Sequence, residues 1–86
     1  MRKEYVLSND EGLHARPATT LVSKANQFKS DITITYEETT VDFKSIMGVL
    51  SLGAERGSLV VVEAKGSDET AAIKAITDHF QHLTLK

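Results

Sequence analysis

The sequence predicts an α+β fold, an open-faced two-layer sandwich in which a four-stranded antiparallel sheet carries three helices on one side. Some segments alternate apolar and polar residues, as strands do, and others repeat apolar residues every three or four positions, as helices do. These segments follow one another in the order β-α-β-β-α-β-α. Because each segment has one apolar face, we expect the helices to cover one face of the sheet and leave the other in water.

Length and composition limit the class of protein. With 86 residues, 41% of them hydrophobic, residues 1–86 are expected to form a single domain. The formal net charge of −2 argues against a nucleic-acid partner. No apolar run is long enough to cross a bilayer, so no membrane insertion is expected. The absence of cysteine fits a reducing compartment or simple indifference to redox state, and we expect a cytoplasmic protein.

The first half of the chain predicts a strand, a helix and a hairpin. Residues 4–7 form a short strand followed by turn-forming residues. Pro17 is expected in the first turn of a helix whose apolar spacing continues to Phe28. Residues 32–36 alternate strictly, and after a turn at residues 37–40 the return strand is expected at residues 41–43.

The second half predicts a short helix, a strand and a longer helix. Ser45 precedes a short apolar helix, which Gly53 is expected to end in a left-handed conformation. Residues 59–64 are β-rich, and Ser67 is expected to cap a last helix with apolar residues at helical spacing.

Residues 12–18 have the sequence GLHARPA, which is expected to place a histidine and an arginine at the start of the first helix. The free N–H groups there attract anions, and the helix dipole disfavours the charged form of His14, which leaves the imidazole nucleophilic. A phosphoryl group on that ring would be stabilised by the N–H groups and by Arg16. The alternative is an ordinary cap or solvated histidine, because no acidic partner or metal-binding set accompanies His14.

Ser45 is expected to be the N-cap of the second helix, where an added phosphate would also be tolerated. Ile46, Met47 and Leu50 cannot all be buried by so short a helix, so some apolar surface is expected to face partners. An ordinary buried helix is the alternative.

His79 and His82 are three residues apart on the last helix. No third ligand lies near them in the sequence, so we expect solvated histidines and neither a metal site nor a cofactor.

The two motifs, residues 12–18 and residues 44–52 (KSIMGVLSL), resemble the histidine-containing phosphocarrier family, HPr, of the bacterial sugar phosphotransferase system. The resemblance covers essentially the whole chain and is closest to the Gram-positive form. It implies that His14 accepts a phosphoryl group on Nδ1 from phosphorylated enzyme I and passes it to sugar-specific IIA components. It also implies that Arg16 assists with the phosphate charge and that Ile46, Met47 and Leu50 dock donor and acceptor.

The resemblance further implies a regulatory role for Ser45. An ATP-dependent HPr kinase/phosphorylase would phosphorylate it, which slows transfer through the histidine and favours binding to a catabolite-control transcription regulator. A related group of catabolite-repression HPr-like proteins keeps the serine and lacks the histidine, and the presence of His14 argues against that group.

The leading hypothesis is therefore a phosphocarrier, monomeric, with no cofactor and no enzyme activity of its own. The alternative is a regulatory binding module that acts mainly through Ser45 in carbon catabolite control. A small hydrolase is disfavoured because the sequence shows no catalytic base or metal set.

Overall fold

The computed structural model describes residues 1–7, 12, 13 and 15–84, and for residues 15, 16 and 81–84 it describes the backbone alone. The predicted order of elements is confirmed. The strands and helices are β1 (Arg2–Val6), α1 (Ala15–Ala25), β2 (Asp31–Tyr36), β3 (Thr39–Asp42), α2 (Ile46–Ser51), β4 (Leu59–Lys65) and α3 (Glu69–Thr84).

The four strands form one sheet in the order β1-β4-β2-β3, and every neighbouring pair is antiparallel. Tyr5 of β1 and Tyr36 of β2 both lie opposite Val60 of β4. Because successive side chains on a strand point to opposite faces, Val60 and Val62 are buried on one face while Val61 lies on the other. The predicted open-faced sandwich is confirmed.

The core lies between the sheet and the helices. Large side chains from both layers are fully buried there, among them Leu21 of α1, Ile34 of β2 and Phe80 of α3. The helix α1 packs against both α2 and α3, and α3 packs on β4 and β1. None of the helices in the described part of the chain has the length and apolar character to cross a membrane.

The start of α1 agrees with the prediction, whereas its end differs. The helix begins at Ala15, so Pro17 is its third residue, still in the first turn, where a missing N–H removes no hydrogen bond. The helix ends at Ala25, and the Phe28 amide donates to the Ala25 carbonyl from the turn that follows (3.3 Å). Phe28 packs against the core from that turn, which explains why its spacing resembled a continuation of the helix.

The predicted cap of α3 is wrong. The helix begins at Glu69, and the Ala72 amide donates to the Asp68 carbonyl (2.9 Å), so Asp68 rather than Ser67 occupies the N-cap position. The Asp68 carboxylate accepts from the backbone amides of Lys29 and Ser30. Asp68 therefore ties the loop after α1 to the start of α3.

The hairpin turn is tighter than predicted. Only Glu37 and Glu38 separate β2 from β3, and Glu37 has the positive φ, 56°, that so short a turn requires. Thr39 and Thr40, expected in the turn, pair with Tyr36 and Thr35 instead. The predicted left-handed Gly53 after α2 is confirmed by its φ of 65°.

Candidate functional site

The predicted phosphoryl site lies where α1 begins. The first residue of α1 is Ala15, which follows His14 directly in the sequence, and the first turn contains no acidic residue. The N–H groups and the dipole of this turn therefore favour an anion without competition from a neighbouring carboxylate on the helix. His14 itself and the side chain of Arg16 lie outside the described residues, so their roles stay predictions.

The chain before His14 is attached to the loop after α2, a contact that the sequence did not predict. Leu13 is fully buried, and its amide donates to the Ala54 carbonyl (3.0 Å). Gly12 is also buried and has a left-handed φ of 60°. A glycine at this position is visible in the sequence, but it does not indicate which distant segment packs against it.

Ser45 occupies the N-cap position of α2, as predicted. Its backbone is extended (φ −108°, ψ 116°), and its Oγ accepts a hydrogen bond from the Gly48 amide at 3.1 Å. The Ser45 carbonyl accepts the first intrahelical bond, from Val49 (3.0 Å). Ser45 is half-buried, so part of the residue remains accessible to solvent.

The residue before Ser45 is held by the turn that follows α1. Lys44 Nζ donates to the Phe28 carbonyl (2.8 Å), and Asn26 Nδ2 donates to the Lys44 carbonyl (3.1 Å) and to the Val22 carbonyl (2.9 Å). No local pattern in the sequence predicts the two bonds of Lys44, because they join residues that are 16 and 18 positions apart. They fix the start of α2 relative to α1.

The apolar surface expected on α2 is present. Met47 is 78% exposed and Ile46 is 41% exposed, whereas Leu50 is half-buried and packs against the core. Val49 is the buried residue of this helix. We call Ile46, Met47 and Leu50 the α2 patch, which is apolar and adjoins Ser45 in the chain.

Of the histidine pair on α3, only one side chain is described. His79 is half-buried, and the side chain of His82 lies outside the described residues. Among the residues whose side chains are described, no three histidine, aspartate or glutamate groups are arranged to hold a metal ion.

Comparison with known proteins identifies the family. Residues 1–82 match the family described as the PTS HPr component phosphorylation site. The histidine-containing phosphocarrier protein of Mycoplasma has 33% sequence identity and a TM-score of 0.94, with 100% of each chain covered. The phosphocarrier protein HPr of Bacillus anthracis has 39% identity and a TM-score of 0.87, over 92% of this chain and 94% of that one. An HPr dimer from Thermoanaerobacter tengcongensis has 40% identity and a TM-score of 0.80, over 95% and 94%.

The chain therefore belongs to the HPr family of the phosphotransferase system, as the two motifs predicted. Its role is that of a phosphocarrier, a protein that carries a phosphoryl group between other components and is not itself a catalytic enzyme. Because one similar protein was solved as a dimer, the expected monomeric state stays a prediction.

Proposed function

We propose that His14 is the phosphoryl acceptor, that it takes the group from phosphorylated enzyme I and that it passes it to sugar-specific IIA components. The observation that carries this assignment is the start of α1 at the residue after His14, in a turn that holds no acidic side chain. Family membership supports the same role, because the matched family is defined by a phosphorylation site.

The transfer is a displacement at phosphorus. The Nδ1 lone pair of neutral His14 forms a P–N bond while the bond between phosphorus and the donor atom of enzyme I breaks, and that atom keeps the electron pair. The first amides of α1, which begins at the residue after His14, are the proposed source of stabilisation for the new charge, with Arg16 proposed as a second source of positive charge. Delivery to the IIA component is the same step with the roles exchanged.

The α2 patch is the proposed docking surface for both donor and acceptor. Its exposed apolar side chains lie on a helix that packs directly against α1, the helix whose first residue follows His14. One surface that serves successive partners favours a monomer in solution. Transfer from phosphoenolpyruvate to incoming sugar places this relay in the cytoplasm.

Ser45 is the proposed regulatory residue, phosphorylated by an ATP-dependent HPr kinase/phosphorylase. Ser45 is half-buried and directly precedes the α2 patch, so a phosphate on it would change the charge of the proposed docking surface. The modified form is proposed to transfer less through His14 and to bind a catabolite-control transcription regulator.

Phosphorylation-site mapping tests the acceptor. Incubation with enzyme I and phosphoenolpyruvate should add one acid-labile, alkali-stable phosphate, and His14→Ala should abolish it. His79→Ala is the matched control and should retain full labelling. Label that persists in H14A, or that maps by mass spectrometry to another residue, would contradict the assignment.

A further inference from the structure

The loop of residues 53–58, which joins α2 to β4, is bonded to both described ends of the β1–α1 connection. On one side, the Leu7 amide donates to the Ser58 carbonyl (2.9 Å) and the Gly57 amide donates to the Leu7 carbonyl (2.6 Å). On the other side, the Leu13 amide donates to the Ala54 carbonyl (3.0 Å). The backbone that leads to His14 is therefore attached to this loop one residue before the histidine.

Hydrogen bonds within the loop also stabilise it. The Glu55 amide donates to Ser58 Oγ (3.0 Å), and the Ser58 amide donates to the Glu55 carbonyl (2.9 Å). Ala54 has no exposed surface. The Ala54 carbonyl is thus a fixed acceptor on a short, self-bonded turn.

Gly12 permits the close approach between the two segments. A Cβ atom at this position would lie 2.5 Å from the Ala54 carbonyl oxygen and 2.7 Å from the Glu55 Cα. Both atoms belong to the backbone, so no side-chain rotation relieves the overlap, and any larger residue must push the segments apart. We call Gly12, Leu13, Ala54 and Glu55 the clasp.

We propose that the clasp is a positioning element for phosphoryl transfer, an inference that rests on the proposed role of His14. The Ala54 carbonyl fixes the amide of Leu13, the residue before His14 in the chain. The first turn of α1 begins at the residue after His14. Transfer to a histidine inside a partner's active site depends on placement, and a displacement of about 1 Å costs on the order of a hundredfold in rate. Gly12 and Ala54 act through the backbone of Leu13 and touch no substrate.

The test compares Gly12→Ala with Gly57→Ala in phosphoryl transfer from phosphorylated enzyme I. Gly57 also has a positive φ, 91°, yet an added Cβ there meets nothing within 4 Å. Both variants therefore place an alanine at a positive φ, which costs conformational free energy. Only G12A also overlaps the backbone of Ala54 and Glu55. Both variants are assayed well below their melting temperatures. In phosphorylation by enzyme I, the kcat for G12A should be at least about tenfold below the wild-type value, with the KM for the variant unchanged. The kcat for G57A should equal the wild-type value.

A second variant covers the case in which G12A does not fold. In synthetic protein, an ester in place of the Leu13 amide removes the donor to Ala54 and adds no atoms. It should lower kcat several-fold, since one anchoring bond is lost. An unchanged kcat in G12A or, if that variant is unfolded, in the ester variant would overturn the inference, as would a rise in KM alone.

The same experiment separates this inference from the proposed function. Wild-type protein and H14A are labelled in parallel, and label on a residue other than His14 in the wild type means that the acceptor assignment has failed. Label on His14 together with equal kcat in G12A and G57A means that only the clasp has failed.

Discussion

Asp68 connects two parts of the chain that lie far apart in the sequence. Its carboxylate accepts from the amides of Lys29 (2.8 Å) and Ser30 (2.9 Å) and from the Ser30 hydroxyl. Ser30 is almost fully buried, and Gly66 packs so close to it that a Cβ on the glycine would overlap its atoms. The Ser30 hydroxyl, followed by the Lys29 amide, lowers the pKa of Asp68 below its ordinary value of 3.8.

This pKa shift predicts a pH-dependent contribution to stability. Because the folded-state pKa of Asp68 is depressed, the stabilisation is complete above pH 3.8 and is lost as pH falls through the lower folded value. Asp68→Asn should therefore unfold at lower denaturant concentration than the wild type at about pH 6, and the difference should narrow below about pH 4. Urea unfolding across this range measures it. Glu69, whose pKa is also lowered, is present in both proteins and cancels from the difference.

Ser30→Ala is the companion variant for this prediction. It removes the hydroxyl donor and leaves both amide donors, so it should reduce the pH-dependent stabilisation without abolishing it. A D68N protein whose stability follows the wild-type pH profile would contradict the assignment.

At the scale of the elements, the short helix α2 depends on its surroundings. It has only six residues, and helices of that length do not form alone in water. The buried Val49 and the cap at Ser45 hold it in place. So do the bonds that join Lys44 to Asn26 and Phe28, which lie just after α1. Tertiary contacts therefore stabilise the helix that presents the α2 patch.

Two substitutions at Ser45 separate its capping role from its proposed regulatory role. Ser45→Ala removes the acceptor for the Gly48 amide and should lower the free energy of unfolding by about 1 kcal/mol, whereas Ser45→Asn keeps a good cap and most of the stability. Both should lose label from ATP and the HPr kinase/phosphorylase. Urea unfolding and radiolabel incorporation measure the two effects.

Ser51 provides the control, because it is a second, exposed hydroxyl on the same helix, bonded to the Gly48 carbonyl at 2.6 Å. Ser51→Ala should keep full labelling. Phosphate that is still incorporated into S45N would remove Ser45 as the kinase target.

The whole molecule has two surfaces of different kinds. The α2 patch is on the side of the sheet that the helices cover, while the opposite face carries exposed apolar residues of its own, Val6 (59%) and Leu59 (51%), which are paired across β1 and β4. Apolar exposure alone therefore does not identify the docking surface. The α2 patch differs from the open face because it lies on a helix that packs against α1, and its proposed docking role rests on that contact.

A charge placed on each surface tests this distinction. Met47→Glu should raise the KM of enzyme I for this protein as the phosphoryl acceptor by roughly tenfold or more. The reason is that it puts a charge into the proposed apolar contact. Leu59→Glu introduces the same charge at an exposed apolar residue on the open face and should leave KM unchanged. Equal effects of the two variants would exclude the α2 patch as the specific docking surface.

The sequence by itself determined the features that depend on near neighbours. Alternation in residues 32–36 predicted β2, the serine–apolar pattern predicted the cap and the exposed surface of α2, and both motifs predicted the family. These signals are local because helix and strand periods, capping and turn chemistry act over a few residues. Local signals were weaker at boundaries, where Ser67 and Asp68 were equally suitable caps by type.

Only the tertiary structure decided which distant segments meet. Leu13 bonds to Ala54, Ser30 to Asp68 and Lys44 to Phe28, and no period or motif in the chain pairs these residues. Such pairs form because the strand order β1-β4-β2-β3 brings the ends of non-consecutive elements together, and their hydrogen-bonding groups must then find partners out of water. The residue expected to carry the phosphoryl group was therefore readable from the sequence, whereas the backbone that positions it was not.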